Sequence, residues 1–299
     1  MRRYPFVQVD AFTTTPLTGN ACAVVFDADT LSEAEMQAIA REQNLSETAF
    51  VLKSTLADVG ARYFTVSEEI PLAGHPTVAT IHALVEAGRI KLTGAHTQIT
   101  LELRVGPIAI DIYEADSSGT PRRIIMSQKK PQFLRIYSTD EVLPGFGLGI
   151  DDMLPDVPIQ TVSTGTPQLM IAVKDHAALR RIQLDTPWLT RLRASGDYFS
   201  IHVFCPHGLS EDASTFARHF GLPPDMAEDP FTGSATGGMA AYLWHYGVLK
   251  TPKFIAEQGH WLSRPGQAQV EVVGPREDIQ TVKVGGPAVS VIRGEMTLA

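Results

Sequence analysis

The chain has 299 residues, 44% hydrophobic and 19% charged, with a net charge of −8. That negative balance, with no lysine or arginine run longer than two residues, argues against nucleic acid or an acidic membrane surface as partner. The length allows two domains of ordinary size, and 24 glycines with 20 prolines suit short strands and many turns rather than a helical bundle.

The two cysteines, Cys22 and Cys205, give neither a disulfide framework nor a CxxC metal pattern. No apolar run reaches bilayer length, and the first residues lack the apolar core of a signal peptide, so the expectation is a cytoplasmic protein.

In chain order, Tyr4–Phe12 alternates as a first strand, and a loop with Pro16 and Gly19 leads to a buried strand over Ala21–Phe26. Thr30 and Glu33 have the spacing of a capping box. It precedes a helix with Leu31, Met36, Ile39 and Ala40 on one face, stopped by Asn44 in the left-handed conformation. Thr48–Leu52 reads as a strand with Glu47 at its mouth. By composition alone a glutamate there is a solvated loop residue.

Arg62–Val66 then feeds a stretch that occurs twice. Glu69-Ile-Pro-Leu-Ala-Gly-His75-Pro-Thr77 matches Glu228-Asp-Pro-Phe-Thr-Gly-Ser234-Ala-Thr236 at a constant offset of 159, through Gly88/Gly247 and Lys91/Lys250. Each copy reads as a turn, a helix that is apolar all round and therefore buried, and a glycine stop. The predicted helices span 76–87 and 235–246, with Pro76 first in its helix and His75 and Ser234 as N-caps.

Ile99–Tyr113 reads as a hairpin turning at Gly106, and Arg122–Met126 adds a strand. From Gln128 to Pro158 periodicity fades, which marks a crossing between two halves, 1–127 and 128–299, with a short helix inside it. The Gly145-Phe-Gly147-Leu-Gly149 run lacks a preceding strand and the third-glycine spacing of a dinucleotide loop. The second half restates the first, with strands at Leu169–Val173 and Tyr198–Phe204 and closing strands at Gln269–Val273, Thr281–Val284 and Ala288–Ile292. His202, Cys205 and His207 are close in sequence, but strand alternation and Pro206 send them apart, so they do not form a metal site.

A buried helix start leaves N–H groups and partial positive charge to be satisfied, and glycine there lets a carboxylate or phosphate approach the backbone. If a pseudo-two-fold relates the halves, the starts face each other, and His75, Asp229 and Ser234 converge, joined by Glu47. The bland alternative is that these residues only cap two core helices. No nucleotide loop, HExxH, flavin or pyridoxal signature occurs, and Thr232 stands where a nucleophile elbow needs glycine. A site with no cofactor and no metal, built from a carboxylate, a histidine and an anion cradle, suits proton transfer at carbon beside a carboxylate.

The chain resembles the phenazine-biosynthesis isomerase-like (PhzF-like) family, of the diaminopimelate epimerase-like fold. The resemblance rests on Val9-Asp-Ala-Phe-Thr13, Gly19-Asn20-Ala21, Ile39-Ala-Arg-Glu42, Asn44-Leu-Ser-Glu-Thr-Ala-Phe50, Arg62-Tyr-Phe-Thr65, Pro71-Leu-Ala-Gly-His-Pro76, Ser163-Thr-Gly165 and Glu228-Asp-Pro-Phe-Thr-Gly-Ser-Ala235. The chain departs from many relatives at Ala73, where they carry cysteine, and at Val66, where they carry proline. The resemblance implies an α+β protein of two pseudo-symmetric halves, each a mixed sheet curled round a central helix. A return of the last strand to the first half, and homodimers, are expected. It also implies that Glu47 is the catalytic acid/base, that His75, Asp229 and Ser234 line the pocket, and that Gly74 and Gly233 lend it backbone amides. The implied activity is a cofactor-independent isomerisation of a small carboxylate-bearing substrate, like that of trans-2,3-dihydro-3-hydroxyanthranilate isomerase. A two-base racemase or epimerase using Glu47 and Asp229, and a non-catalytic binder of small acids, are the alternatives.

Overall fold

The computed structural model describes residues 1–223, 225 and 227–298. Its α+β architecture follows one pairing pattern used twice. In the first half, strand Arg2–Ala11 runs antiparallel to Asn20–Val25, which lies parallel to Glu47–Leu52. Then come Val59–Phe64 (antiparallel), His96–Leu103 (parallel), Gly106–Tyr113 and Arg123–Ser127 (both antiparallel). In the second half Ile159–Ser163, Pro167–Ala172, Ser200–Cys205, Ala213–Phe220, Lys253–Gln258, Gly266–Val273 and Thr281–Gly286 repeat the same order of antiparallel and parallel steps.

The sheets join through Arg123–Ser127 beside Thr281–Gly286. Each half also hands a strand to the other. Gln132–Tyr137 follows the first set and pairs with Ile159–Ser163, while Ala288–Leu298 follows the second set and pairs with Arg2–Ala11. The sequence reading treats 128–158 as a crossing and misses the strand Gln132–Tyr137. Its residues are mostly exposed and do not alternate, so no buried face marks it.

The central helices are Gly74–Glu86 and Gly233–His245, with every residue of Gly74–Leu84 and of Gly233–Leu243 buried. Alanine, valine, isoleucine and leucine in the first helix, and alanine, glycine, methionine, tyrosine and leucine in the second, leave no charged stripe for water, so each helix is wrapped by its own sheet. Gly88 and Gly247 end the helices at φ of 69° and 72°, the left-handed stops read from the sequence.

The helix starts correct that reading. Both helices begin two residues earlier than 76 and 235, with Ala73 and Thr232 as N-caps that supply no side-chain hydrogen bond. His75 and Ser234 therefore sit inside the first turn. Pro76 is tolerated at the third helical position because N–H groups of the first turn have no intrahelical partner to lose. The early start has a packing cause. A Cβ on Gly74 would lie 2.5 Å from the Gly233 Cα, so the two helices abut end to end through glycine.

A smaller correction concerns the preceding helix, Glu33–Gln43. Its capping box is Ser32 with Glu35 rather than Thr30 with Glu33, because Thr30 belongs to a 3-10 turn and its hydroxyl is hydrogen-bonded to the Tyr4 hydroxyl at 2.7 Å. Asn44 ends this helix at φ 50°, as expected.

Candidate active site

Glu47 is the first residue of its strand, opposite Cys22 on the buried strand Asn20–Val25. This placement turns its side chain inward, where 15% of it is exposed, and so overturns the reading of a solvated loop residue. Its Oε2 stands 3.1 Å from Nε2 of His75, out of line for a hydrogen bond, and among the described residues neither atom has another partner. Burial first, and then the nearby Asp229 and Asp225, raise the Glu47 carboxyl well above the usual range.

His75 is 2% exposed, and burial pushes its pKa down to about 4, against the opposing pull of Asp229 and the Ala21 carbonyl. Its contact with Glu47 is therefore made by a neutral imidazole and is not an ion pair. Asn20 fixes the tautomer. Its side-chain nitrogen lies 3.0 Å from His75 Nδ1, 2.8 Å from Asp229 Oδ1 and 2.8 Å from the Phe231 carbonyl. Two of these partners can only accept, so this atom is the amide NH2, His75 Nδ1 accepts, and His75 Nε2–H faces Glu47.

Asp229 is the opposite kind of carboxylate. Its oxygens accept from Asn20, from the Ser46 hydroxyl at 2.6 Å and from the Thr232 hydroxyl. Burial works against its charge, but His75, His219 and these hydroxyls hold it below the ordinary aspartate value. Two neighbouring carboxylates are thus pushed in opposite directions, the arrangement that separates a proton-transfer group from a fixed negative charge.

Ser234 Oγ accepts from the Gln168 amide at 3.2 Å, which leaves its own proton to donate. Gln128 donates to the Gly233 carbonyl at 2.9 Å and closes off the helix from behind. Glu47, Asp229, Ser234, Thr166 and Gln168 line one cavity of about 290 Å³ between the halves. Gly74, His75 and Gly233 lie behind that lining, so the structure groups all six expected residues but brings only three of them to the cavity surface.

Sequence reasoning missed Asn20, Gln168 and Thr166. Asn20 and Thr166 are counterparts. Asn20 donates to the carbonyl of Phe231 and Thr166 to that of Leu72 at 2.9 Å, each carbonyl two residues before the opposite helix's first glycine. A polar Asn20 at the head of a wholly buried strand was a signal in the sequence. His202, Cys205 and His207 do not converge: His202 bonds His219, and Cys205 bonds the His207 carbonyl. Glu47, His75 and Asp229 do place ligand-type atoms within 4.8 Å of one another, a donor set able to hold a divalent cation. Among the described residues no helix is long and apolar enough to cross a membrane.

Comparison with known proteins agrees with this geometry. Residues 9–294 match the family model of phenazine biosynthesis-like proteins. The chain is 33% identical to trans-2,3-dihydro-3-hydroxyanthranilate isomerase of Pseudomonas chlororaphis, over 98% of this chain and 99% of that one. The fold superposes on a PhzF-family phenazine biosynthesis protein of Bacillus anthracis with a TM-score of 0.87 at 33% identity, covering both chains completely. It also superposes on a predicted epimerase of Pseudomonas aeruginosa with a TM-score of 0.82 at 30% identity, over 99% of this chain and 100% of the other. Fold, repeated helix starts and whole-length similarity agree that this chain belongs to the PhzF-like family of phenazine biosynthesis-like proteins and is an isomerase.

Proposed function

We propose that the protein is a cofactor-independent isomerase that shifts a proton between two carbons of a small, conjugated, carboxylate-bearing substrate. The observation that carries this is the buried Glu47 carboxyl, raised in pKa and with Oε2 lacking a hydrogen-bond partner among the described residues, beside the fully paired Asp229 in one cavity. A carboxyl with a raised pKa both accepts and returns a proton near neutral pH, which an ordinary glutamate does poorly.

In this reading Glu47 takes the proton from one carbon, the electron pair moves through the double bond toward the substrate carboxylate, and Glu47–H, which exchanges its proton with solvent between the two steps, protonates a second carbon. Atoms and charge balance without a co-reactant. The Ser234 hydroxyl and the uncapped N–H groups at the two helix starts hold the substrate carboxylate where negative charge develops. His75 works through Glu47, its neutral imidazole packing against the carboxyl at 3.1 Å and positioning it. Asp229 stays ionised and orients a donor group of the substrate.

The pairing pattern bears on the number of bases. The second-half counterpart of Glu47, at the same place in the repeated register, is Ser200. Asp225 and Glu68 also line the cavity, but Asp229 is the carboxylate grouped with Glu47 and His75 within 4.8 Å, and its three donors hold it as an anion. One base fits better than two.

The test is incubation in heavy water with trans-2,3-dihydro-3-hydroxyanthranilate as trial substrate, alongside a panel of small acids, followed by NMR. Double-bond migration with deuterium at the new C–H supports the proposal. Loss of optical activity without migration assigns an epimerase instead, and binding without exchange assigns a non-catalytic binder.

A further inference from the structure

The second half carries a buried pair of imidazoles that the proposed proton shift does not use. His202 and His219 lie opposite each other on the paired strands Ser200–Cys205 and Ala213–Phe220, with their Nδ1 atoms 3.2 Å apart. One Nδ1 must donate and the other accept. If His219 donated, His202 would carry its proton on Nε2, which is buried and has no partner. An orphaned buried N–H is rarer than an orphaned acceptor, and costs about 1–3 kcal/mol. The favoured arrangement is therefore His202 Nδ1–H donating to His219 Nδ1, which places the His219 proton on Nε2.

That proton has somewhere to go. His219 lines the cavity that holds Glu47 and Asp229, and its Nδ1 edge is occupied by His202, which leaves the Nε2 edge for the cavity. Its main chain is tied to the site as well, the His219 carbonyl accepting from the Asp229 N–H at 2.9 Å. The counterpart of His219 in the first half is Tyr63, whose hydroxyl is paired with Thr77 of the central helix at 3.0 Å. Among the described residues the hydroxyl of Thr236, the counterpart of Thr77, bonds only the Thr232 carbonyl. Where the first half fills the space with a phenol tied to its helix, the second leaves an imidazole facing a void. Burial keeps both histidines neutral, His219 at about 4 and His202 well below its usual value, so the pair is a fixed neutral donor at neutral pH.

We propose that His219 is a specificity-determining residue that donates its Nε2–H to a substrate oxygen outside the anchored carboxylate, a hydroxyl or carbonyl, with His202 as the positioning residue that sets its tautomer. This rests on the proposed anchoring of a carboxylate at the helix starts. Two measurements on the full chain separate the claims. The first is nitrogen-15 NMR of the imidazoles, with His219 assigned by comparison with His219→Phe. A proton on Nε2 is expected, and a proton on Nδ1 overturns the inference whatever the ligand. The second is calorimetric titration with 3-hydroxyanthranilate and with benzoate, which keeps the carboxylate and lacks the ring oxygen. His219→Phe should bind 3-hydroxyanthranilate about 10-fold more weakly, the worth of one buried hydrogen bond, and benzoate unchanged, with partial rescue in His219→Asn. Equal loss for both probes, or none for 3-hydroxyanthranilate, overturns the inference. If the unmodified protein binds neither probe, the anchoring reading fails, and the tautomer decides the donor on its own.

Discussion

The end-to-end contact of the two central helices gives a sharp prediction for Gly74→Ala. The added Cβ would lie 2.5 Å from the Gly233 Cα, 2.7 Å from its carbonyl carbon and 2.8 Å from the Ser234 nitrogen. Carbon atoms in contact sit about 3.5–4.0 Å apart, so the helices must part by about 1 Å. All three atoms are backbone, and no change of rotamer relieves the clash. Overpacking of this kind costs about 1–3 kcal/mol, which at about 2–4 °C per kcal/mol lowers Tm by about 2–12 °C. The functional loss should be larger. The parted atoms belong to the proposed carboxylate cradle, and a misplacement of about 1 Å can cost about 100-fold in rate. Gly88→Ala is the matched control. Nothing lies within 4 Å of its Cβ, and at φ 69° it meets only the left-handed strain of about 1–2 kcal/mol. Scanning calorimetry with turnover in heavy water should show both variants destabilised and only Gly74→Ala inactive. A Gly74→Ala protein with unmodified Tm and turnover would refute the packing argument.

Glu47→Gln should lose activity and gain stability. The folded pKa of Glu47 is raised, so the unfolded chain ionises it more readily, and stability falls as pH rises from the ordinary glutamate value through the raised one. At pH 7–8 the variant should melt higher than the unmodified protein, with the difference vanishing below about pH 4; a lower Tm at pH 7–8 contradicts the shift. The same shift predicts that kcat/KM rises with pH through a value above that of an ordinary glutamate. Asn20→Ala removes donors from His75, Asp229 and the Phe231 carbonyl at once. Steady-state kinetics should show kcat falling at least ~10-fold, more than KM changes, and an unaltered kcat would remove Asn20 from the account. Dialysis against EDTA should leave turnover intact, because the Glu47, His75 and Asp229 group is read as proton-transfer machinery; loss that one metal restores would reassign it.

Much of this was legible because it is local. Glycine, first turn, apolar helix and glycine stop are written in consecutive residues, and the constant offset of 159 exposes the duplication directly. The family words placed Glu47, His75, Asp229 and Ser234 in one site, although composition alone favoured a solvated Glu47. What stayed hidden depends on strands far apart in sequence. Asn20 reaches His75 and Asp229 only because Asn20–Val25 lies beside Glu47–Leu52 and crosses the opposite helix start. The match of Glu47 with Ser200 follows from strand register, which the uneven offsets outside the central motif conceal, whereas that of Tyr63 with His219 is readable in Arg62-Tyr-Phe64 and Arg218-His-Phe220 at an offset of 156. The exchanged strand Gln132–Tyr137 escaped notice because its exposed faces carry no alternation.

The repeated turns make the cradle, and Glu47, which lies in neither copy, moves the proton. The most direct test is deuterium uptake into trans-2,3-dihydro-3-hydroxyanthranilate in heavy water, followed by NMR for the unmodified protein and for Glu47→Gln. The account predicts exchange with the first and none with the second, at equal folded content by calorimetry. Exchange at the unmodified rate in Glu47→Gln would contradict it.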